Sequence, residues 1–384
     1  MKTKQSLYHS IFHRVSALYL VLLLLVTGCG GQETPDVEKE DMLQLSDQEI
    51  ELEVGGWKPL TESRATIFEN KDDIQNNDPE KGGGYFTLHA YLRETGATFI
   101  GGAMAWYFVP DNATVGSWRF YDNVNKRFLE YFWPENYSVD FFAYMPWSGS
   151  TRHKSITIGN YGSGGLNLTC QMQQPTTLED TDGQETIFAY TTGKVKKDKS
   201  VNMNFVHPFA SVSFELMQAH RNLTIEWIRF NNVYLTGSTI LEETTDNNTR
   251  ISWTPPTVDP ETFTIGVNKI IPDDINFGAK IGGPYLVMPQ SLSEATITIR
   301  YHWDNQKDAD DTVTGDGDTN PDDNYYEITR SLFLPENSLS EEWVAGSKYN
   351  YVLNLGDNKE EILFKVEVEP WQSTGGKNNI FDIE

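Results

Sequence analysis

The stretch EIELEV (residues 49–54) alternates a carboxylate with an aliphatic side chain. Successive side chains of a β-strand point to opposite faces, so this pattern predicts a strand whose buried face is made by Ile50, Leu52 and Val54. Two glycines end the pattern directly after residue 54. The alternation indicates a short strand that covers a sheet with one side and meets water with the other.

Similar strand patterns recur along the rest of the chain, separated by clusters of Gly, Asn, Asp and Pro. No long stretch has the 3.6-residue apolar period of a helix, and no fixed-period repeat favours a propeller or a solenoid. The fold class is therefore predicted as all-β, built from β-sandwiches. The predicted strands cover residues 85–92, 128–133, 139–147, 186–193, 201–216, 223–235, 262–267, 284–290, 295–303, 325–334, 348–355 and 362–371.

The length of the chain indicates how many domains it has, and its charge excludes one class of partner. A chain of 384 residues exceeds one typical core, so two domains are expected. With 30 basic and 55 acidic residues the formal net charge is −25. A chain this acidic lacks the basic surface that nucleic acids or anionic lipids require, which excludes nucleic-acid binding.

The N-terminus has the layout of an export signal. A basic start (Lys2, Lys4, Arg14) precedes the apolar run of residues 15–26, which is too short to span a bilayer comfortably. The run ends in Val-Thr-Gly-Cys, which resembles the lipobox of bacterial lipoproteins and predicts lipidation of Cys29 after removal of residues 1–28. An ordinary signal peptide with an incidental cysteine is the alternative. The polar, acidic residues 30–47 are expected to form a flexible tether.

No pattern of catalytic or metal-binding residues emerges. Cys170 has no partner for a disulfide, and its surroundings are typical of a buried strand. The five histidines beyond residue 28 are widely spaced, and neither a Gly-x-Ser-x-Gly motif nor a phosphate-binding loop occurs. The sequence predicts neither an enzyme nor a cofactor.

Two weaker patterns invite ligand hypotheses. Acidic and amide side chains in the loop 308–327 fall at the ligand positions of a calcium-binding loop, but the glycine that such a loop needs is Pro321. A solvated acidic loop is the alternative that we favour. The calcium candidates are Asp316, Asp318, Asn320, Asp322, Asn324 and Glu327. Trp106, Tyr107, Trp118 and Trp147 are candidates for stacking on sugars, although packing is the more common role of such residues.

An ordered set of motifs spans nearly the whole chain. After the lipobox come Arg64-Ala65-Thr66, FFAYMPW (141–147) and NFVHPFASVSFEL (204–216). YLVMPQSL (285–292), AGSKYNYVLNL (345–355) and a Val-x-Val-x-x-Trp segment (366–371) follow. In this order the motifs resemble the fimbrillin family, the type V pilins of Bacteroidales.

This resemblance implies two transthyretin-like β-sandwich domains in tandem with Greek-key-type connections. The implied division is a signal peptide (1–28), a lipidated tether with a removable first strand (29–64), an N-terminal domain (65–195) and a C-terminal domain (196–384). It also implies a fimbrial subunit precursor that reaches the outer membrane and cell surface through its lipid.

The resemblance further implies how such a subunit polymerises. An arginine-specific protease is expected to cut between Arg64 and Ala65, so that the strand carrying Ile50, Leu52 and Val54 leaves. A strand from a neighbouring subunit then fills the groove. The implied partners are other fimbrial subunits, this protease, the outer membrane and a host or bacterial surface ligand.

The C-terminus offers two candidates for the donated strand. The tail beyond Gly375-Gly376 carries apolar residues at Ile380, Phe381 and Ile383, and we favour it as the donor. Residues 362–371 are expected to be the last strand of their own domain. The alternative function is a non-polymerising surface lipoprotein of the same fold, either a fimbrial anchor or a glycan-binding module.

Overall fold

The structure of the chain is a computed structural model. It describes residues 43–54, 84–145, 155–162, 165–172, 186–219, 223–243, 249–256, 259–271, 279–303, 325–333, 341–355 and 362–370. Among these described residues, no helix is long and apolar enough to cross a membrane.

The described part of the chain is almost entirely β-structure, which confirms the predicted fold class. A short 3₁₀ helix covers Lys196–Asp198. The strands, in chain order, are β1 (Leu45–Glu49), β2 (Glu51–Val54), β3 (Tyr85–Leu92), β4 (Thr98–Phe108), β5 (Ser117–Asp122), β6 (Arg127–Leu129), β7 (Phe132–Pro134), β8 (Val139–Met145), β9 (Ser155–Gly162), β10 (Gly165–Gln171), β11 (Ile187–Lys194), β12 (Ser200–Met203), β13 (Ala210–Ala219), β14 (Leu223–Val233), β15 (Thr236–Glu243), β16 (Thr249–Ile251), β17 (Glu261–Ile271), β18 (Ala279–Val287), β19 (Gln290–Ser291), β20 (Thr296–Trp303), β21 (Tyr325–Ser331), β22 (Glu342–Trp343), β23 (Ser347–Leu355) and β24 (Ile362–Pro370).

The largest sheet contains eight strands in the order β11-β8-β3-β4-β5-β2-β12, with β6 also paired to β5. Its centre is regular: β3 pairs antiparallel with β8 from Thr87↔Tyr144 to Leu92↔Val139. The strands β1 and β7 form a separate two-stranded ladder. The first-strand segment, which we define as residues 45–54, therefore contributes one strand to each of two sheets.

Three four-stranded sheets account for most of the remaining strands. One has the order β16-β15-β10-β9, the second β18-β13-β23-β24 and the third β17-β14-β20-β21. A two-stranded ladder joins β19 to β22. Within the second sheet, β23 runs parallel to β13 and antiparallel to β24.

The buried apolar side chains form two clusters. The first collects one face of the large sheet, with Phe86, Leu88 and Phe141 at its centre. The second collects the opposite face of β8 and β11 together with β10 and the C-terminal sheets, and Phe142 is among its members. Val201 of β12 belongs to the first cluster although it follows residue 195. The division into domains 65–195 and 196–384 stays a prediction.

Three predicted strands are each divided in the structure, and one of them, residues 284–290, covers the end of β18 and the first residue of β19. Residues 128–133 supply parts of the short strands β6 and β7 instead of one strand. Residues 201–216 are split between β12 and β13, and Pro208 lies in the gap. Proline has no N–H for a ladder hydrogen bond, which explains why the apolar run does not form one continuous strand.

Candidate functional site

The first-strand segment carries three deeply buried aliphatic side chains. Ile50, Leu52 and Val54 are 2%, 6% and 4% exposed, and all three belong to the first core cluster. Glu51 and Glu53 between them are exposed. The segment thus has the one-sided burial that the alternating sequence predicts, and it completes a core whose other members come from residues 86–205.

The pairing of β2 differs greatly between its two neighbours. It runs parallel to β12 over four residue pairs, from Ser200↔Glu51 to Met203↔Val54. Toward β5 it forms a single antiparallel pair, Leu52↔Trp118. The same strand β5 pairs with β6 from Phe120 to Asp122, so β2 and β6 use successive halves of β5.

A cleft of about 480 Å³ lies along the weakly paired side of β2. Besides residues 49–54, its lining includes Tyr107, Val115, Trp118 and Arg119. Backbone groups that face a cleft are not tied into a ladder, so this side of β2 is held mainly by the burial of its side chains.

A few polar contacts hold the other half of the first-strand segment. The backbone N–H of Ile50 donates to the carbonyl oxygen of Tyr131 at 2.8 Å. The Lys196 Nζ lies 3.6 Å from Asp47 and 3.0 Å from Glu135. The Asp47 side chain is 98% exposed, so its ion pair is screened by solvent and adds little to the attachment.

The carboxylates of the segment repel one another. The pKa of Glu49 is raised by partial burial and then by the nearby carboxylate of Glu130, while Arg119 opposes the shift and Glu51 adds to it. The ionised Glu49 carboxylate therefore opposes the docking of the first-strand segment.

A second polar group of residues surrounds Asp140, which is 3% exposed. Its carboxylate accepts hydrogen bonds from the Tyr161 hydroxyl, from the Tyr190 hydroxyl at 3.4 Å and from the Gly193 N–H at 2.6 Å. The Arg93 guanidinium lies 3.7 Å away. Burial, and then the Asp140 carboxylate, raise the pKa of both tyrosines, so their hydroxyls remain hydrogen-bond donors.

This Asp140 group joins two sheets. Thr192 of β11 donates to Glu243 of β15 from its N–H at 2.9 Å and from its hydroxyl. The Tyr190 N–H donates to the Thr249 hydroxyl at 2.8 Å. A cleft of about 250 Å³ lies at this junction. The arrangement anchors the sheet of β15 and β16 to β11. The hydrogen bonds named here join residues of the chain to one another, which indicates a structural role.

Most residues predicted as sites lie outside the described part of the chain. This holds for the lipidation residue, for both residues of the cleavage site, for the candidate donor residues and for most of the calcium candidates: Cys29, Arg64, Ala65, Ile380, Phe381, Ile383, Asp316, Asp318, Asn320, Asp322 and Asn324. The described exception is Glu327 in β21, whose Oε1 lies 3.4 Å from Arg300 Nη1. The proposed lipidation, cleavage, strand donation and calcium binding at these residues stay predictions.

The other titratable candidates do not assemble into a reactive site. Cys170 is buried, and burial raises the pKa of its thiol to about 12. Burial also lowers the pKa of His89 to about 4, where its ring stacks on Tyr144. Within the described ranges, no three His, Cys, Asp or Glu side chains are grouped as they would be to hold a metal ion.

The candidate sugar-stacking residues have different environments. Trp118 is only 7% exposed and packs on Phe86 in the first core cluster. Trp106 and Tyr107 are half-buried, and Trp147 lies outside the described residues. Neighbouring residues of one strand point to opposite faces of the sheet, and the sequence alone does not tell which face is covered by the core. It therefore does not tell which of these aromatic residues are buried.

Solved fimbrial structures resemble this chain at low sequence identity. A fimbrial protein from Bacteroides vulgatus is 14% identical, with 85% of this chain and 100% of that chain covered and a TM-score of 0.48. A fimbrial assembly protein from Parabacteroides distasonis is 10% identical, with 85% and 96% covered and a TM-score of 0.36. The tip fimbrial protein Mfa3 from Porphyromonas gingivalis is 9% identical, with 75% and 94% covered and a TM-score of 0.34.

No curated protein shows significant similarity to this chain. The model of a protein family described as fimbrillin-like matches residues 109–371, which is well over half of the 384 residues. This chain therefore belongs to the fimbrillin-like family.

Proposed function

We propose that this chain is the precursor of a fimbrial structural subunit that is lipidated at Cys29 and cut after Arg64. A strand from a neighbouring subunit then replaces the first-strand segment. Family membership supports the broader part of this proposal, a subunit of a cell-surface fimbria. The role is structural and adhesive, and no catalytic step belongs to it.

The observation that carries the proposal is the attachment of β2. Its side chains are as buried as those of a core strand, yet it pairs with β5 at one position only. Removing three buried aliphatic side chains costs roughly 1.5–3 kcal/mol apiece. It also leaves the edge of β12 unpaired. The vacated groove would therefore favour any incoming strand with the same alternation.

The proposed donor is the C-terminal tail, with Ile380, Phe381 and Ile383 as its apolar residues. Strand β24 pairs with β23 along nine residue positions, from Ser347↔Pro370 to Leu355↔Ile362. That pairing favours the tail beyond residue 370 as the donated segment, because β24 already completes a sheet of its own chain.

The proposal extends to location and partners. The lipid on Cys29 would hold the precursor at the outer membrane until an arginine-specific protease releases it. The tandem domains 65–195 and 196–384 would then form the body of the subunit in the fimbrium. A host or bacterial surface molecule would be the ligand of the assembled fimbria.

The mature N-terminus tests the central step. We expect surface-extracted protein to begin at Ala65 and to run as a high-mass ladder on gels without boiling. Arg64→Ala should leave monomeric precursor. Arg250→Ala is the matched control, because it removes an arginine whose side chain is 65% exposed and which lies outside the proposed cleavage site. A surface protein that keeps its lipidated Cys29 and forms no ladder would contradict the proposal and favour the anchor.

A further inference from the structure

The cleft of about 250 Å³ beside the Asp140 group, which we call the Asp140 cleft, has walls that belong to two sheets. Strands β8 and β11 come from the large sheet, and β9, β10 and β15 come from a four-stranded one. Hydrogen bonds fix these walls, since Asp140 accepts from the Tyr161 hydroxyl and Glu243 accepts from Thr192. The cleft is therefore already formed in the free chain, which lowers the cost of binding a ligand.

The Glu243 carboxylate in the wall of the cleft has one oxygen without a partner. Its Oε2 accepts hydrogen bonds from the N–H and the hydroxyl of Thr192. Its Oε1 is buried, and no donor of the described part of the chain forms a hydrogen bond with it. A buried carboxylate oxygen loses its water and needs another donor in exchange. An unpaired acceptor in a cleft wall indicates that a bound molecule supplies this donor.

Arg93 places hydrogen-bond donors at the same cleft. Its guanidinium lies 3.7 Å from the Asp140 carboxylate, which is longer than a hydrogen bond, and its side chain is 52% exposed. A guanidinium carries its N–H donors in a fixed, planar fork. The Asp140 cleft thus offers one ligand both an unpaired acceptor and a set of donors.

The charges around the cleft distinguish the classes of ligand. An anion would meet the carboxylates of Asp140, Glu242 and Glu243. A cation would meet the Arg93 guanidinium, and Glu242 already has a cationic neighbour in Arg250 at 3.7 Å. A neutral group that both donates and accepts hydrogen bonds suits the acceptor and the donors together. Two neighbouring hydroxyls of a sugar ring form such a group.

We propose that the Asp140 cleft binds one ring of a neutral sugar, whose hydroxyls donate to Glu243 Oε1 and accept from Arg93. The inference rests on the proposed function, because it names the chemical class of the surface molecule to which an adhesive subunit would attach. It assigns a second role to the Asp140 group, whose internal hydrogen bonds hold the site in shape.

The size and the lining of the cleft support a single ring bound by hydrogen bonds. Its volume of about 250 Å³ lies below the roughly 300–1,000 Å³ of pockets for drug-sized ligands, so it suits one sugar ring better than a longer chain. The described residues that the sequence suggested for stacking on sugars do not line it: Trp106, Tyr107 and Trp118. Recognition in this cleft is therefore polar.

A substitution that blocks the cleft tests the site without removing its hydrogen-bonding groups. Gly162 lines the cleft, and a Cβ added there meets no atom within 4 Å, so Gly162→Phe should fill the cleft and keep the fold. Gly101→Phe is the matched control. Gly101 is also an exposed strand glycine, it does not line the cleft, and its added Cβ makes an ordinary contact of 3.7 Å with Thr98.

Binding is measured by saturation-transfer NMR on the full-length Arg64→Ala precursor, in which the proposed cleavage is blocked. The probes are the methyl glycosides of glucose, galactose, mannose, fucose and N-acetylglucosamine. We expect saturable binding of at least one glycoside by this precursor and by its Gly101→Phe variant, and none by its Gly162→Phe variant. Equal binding by the two phenylalanine variants, or no saturable binding of any glycoside, would overturn the sugar site. Stronger binding of glucuronate or of N-acetyl-lysine amide would overturn it as well.

Glu243→Gln gives an independent measure in the same precursor. The amide has a single oxygen, which Thr192 already occupies, so the sugar hydroxyl loses its acceptor. We expect the dissociation constant of the bound glycoside to rise about tenfold. An unchanged dissociation constant would contradict the role of Glu243.

Polymer formation is scored separately, in the cleavable chain. If this chain polymerises but its precursor binds no sugar, the proposed function stands and the sugar site is wrong. If the precursor binds a glycoside in the Asp140 cleft but the cleavable chain never polymerises, the sugar site stands and strand exchange fails.

Discussion

Strands β2 and β23 occupy the same kind of position but are attached very differently. Each has one parallel and one antiparallel neighbour. Strand β23 pairs with β13 over eight positions and with β24 over nine. Strand β2 pairs with β12 over four positions and with β5 over one. Burial does not separate them, because the inward side chains of both strands are at most 6% exposed.

The contrast shows that core burial and ladder pairing are separate properties of a strand. Apolar burial drives the docking of β2, whereas β23 is held by burial and by two full ladders. A strand with a full ladder on one side only is therefore attached less firmly than an equally buried strand with a full ladder on both sides. The four predictions below test this contrast, starting with the largest expected effect.

Truncating Tyr351 should destabilise the chain most. Its ring is fully buried against Phe214, and its hydroxyl accepts the indole N–H of Trp343 at 3.0 Å. We expect Tyr351→Ala to lower the unfolding free energy by about 3–5 kcal/mol, as for other buried aromatic residues. Chemical denaturation followed by tryptophan fluorescence measures the change.

Tyr351→Phe is the matched control for this variant. It keeps the ring but leaves the Trp343 N–H without its acceptor, which should cost about 1–3 kcal/mol. A Tyr351→Ala variant as stable as the parent would show that β23 is no more firmly held than β2.

Truncating Leu52 should act locally. We expect Leu52→Ala to cost about 2–3 kcal/mol at the low end of the range for buried leucines, since the adjoining cleft permits relaxation. The loss should appear as faster amide exchange in residues 45–54 and 200–203, with the exchange of β23 unchanged. Hydrogen exchange with mass spectrometry measures both regions in one sample.

Glu53→Ala is the control in the same strand, because Glu53 is exposed. It should change stability by no more than about 0.5 kcal/mol. Global loss of protection in Leu52→Ala would mean that β2 is as integral to the fold as β23.

Acid should weaken the large sheet through His89. Burial lowers its pKa to about 4 in the folded chain from 6.5. Between pH 6.5 and 4 the histidine of the unfolded chain binds more protons than His89 of the folded chain. The contribution of His89 to the unfolding free energy is therefore fully present above about pH 6.5 and is lost as the pH falls toward 4. We expect a loss on the order of 1–2 kcal/mol across this window, allowing for partial solvent exposure.

The comparison with His89→Gln isolates this contribution. The variant should lose less stability than the parent between pH 6.5 and 4, measured as thermal midpoints at each pH. Identical pH profiles would show that other groups cause the acid sensitivity.

Replacing Lys196 with Met should have the smallest effect. Its contacts with Asp47 and Glu135 are exposed to solvent, so we expect slightly faster amide exchange in β1 only. High salt should produce the same change in the parent chain and none in the variant. A large loss of protection throughout residues 45–54 would identify Lys196 as a main attachment of the segment.

The sequence predicted well those strands whose apolar residues form an unbroken or alternating run. Residues 85–92 were predicted as a strand, and β3 has the same bounds. The burial of Ile50, Leu52 and Val54 also follows from simple alternation. In both regions the local pattern matches the final environment, so no distant contact is needed to interpret it.

Other strands and contacts could not be predicted from the local pattern of apolar residues. Strand β4 contains Gly101 and Gly102, which signal a turn in the sequence but form a bulge in the structure, where Gly102 has a φ of 77°. The Asp140 group was missed because its residues come from distant strands. The weak pairing of β2 with β5 was also missed. It arises because β6 pairs with β5 from Phe120 to Asp122, and the sequence of β2 carries no sign of this competing neighbour.

The parallel alignment of β2 with β12 has a mechanical consequence. If the amino end of a strand in the position of β2 and the carboxyl end of β12 are pulled apart, the force acts parallel to the two strands and shears the ladder between them. All four residue pairs then share the load and must slide together, whereas a perpendicular pull would open them one after another. A strand in this position is accordingly easiest to remove by peeling and hardest to remove by a pull along its own length.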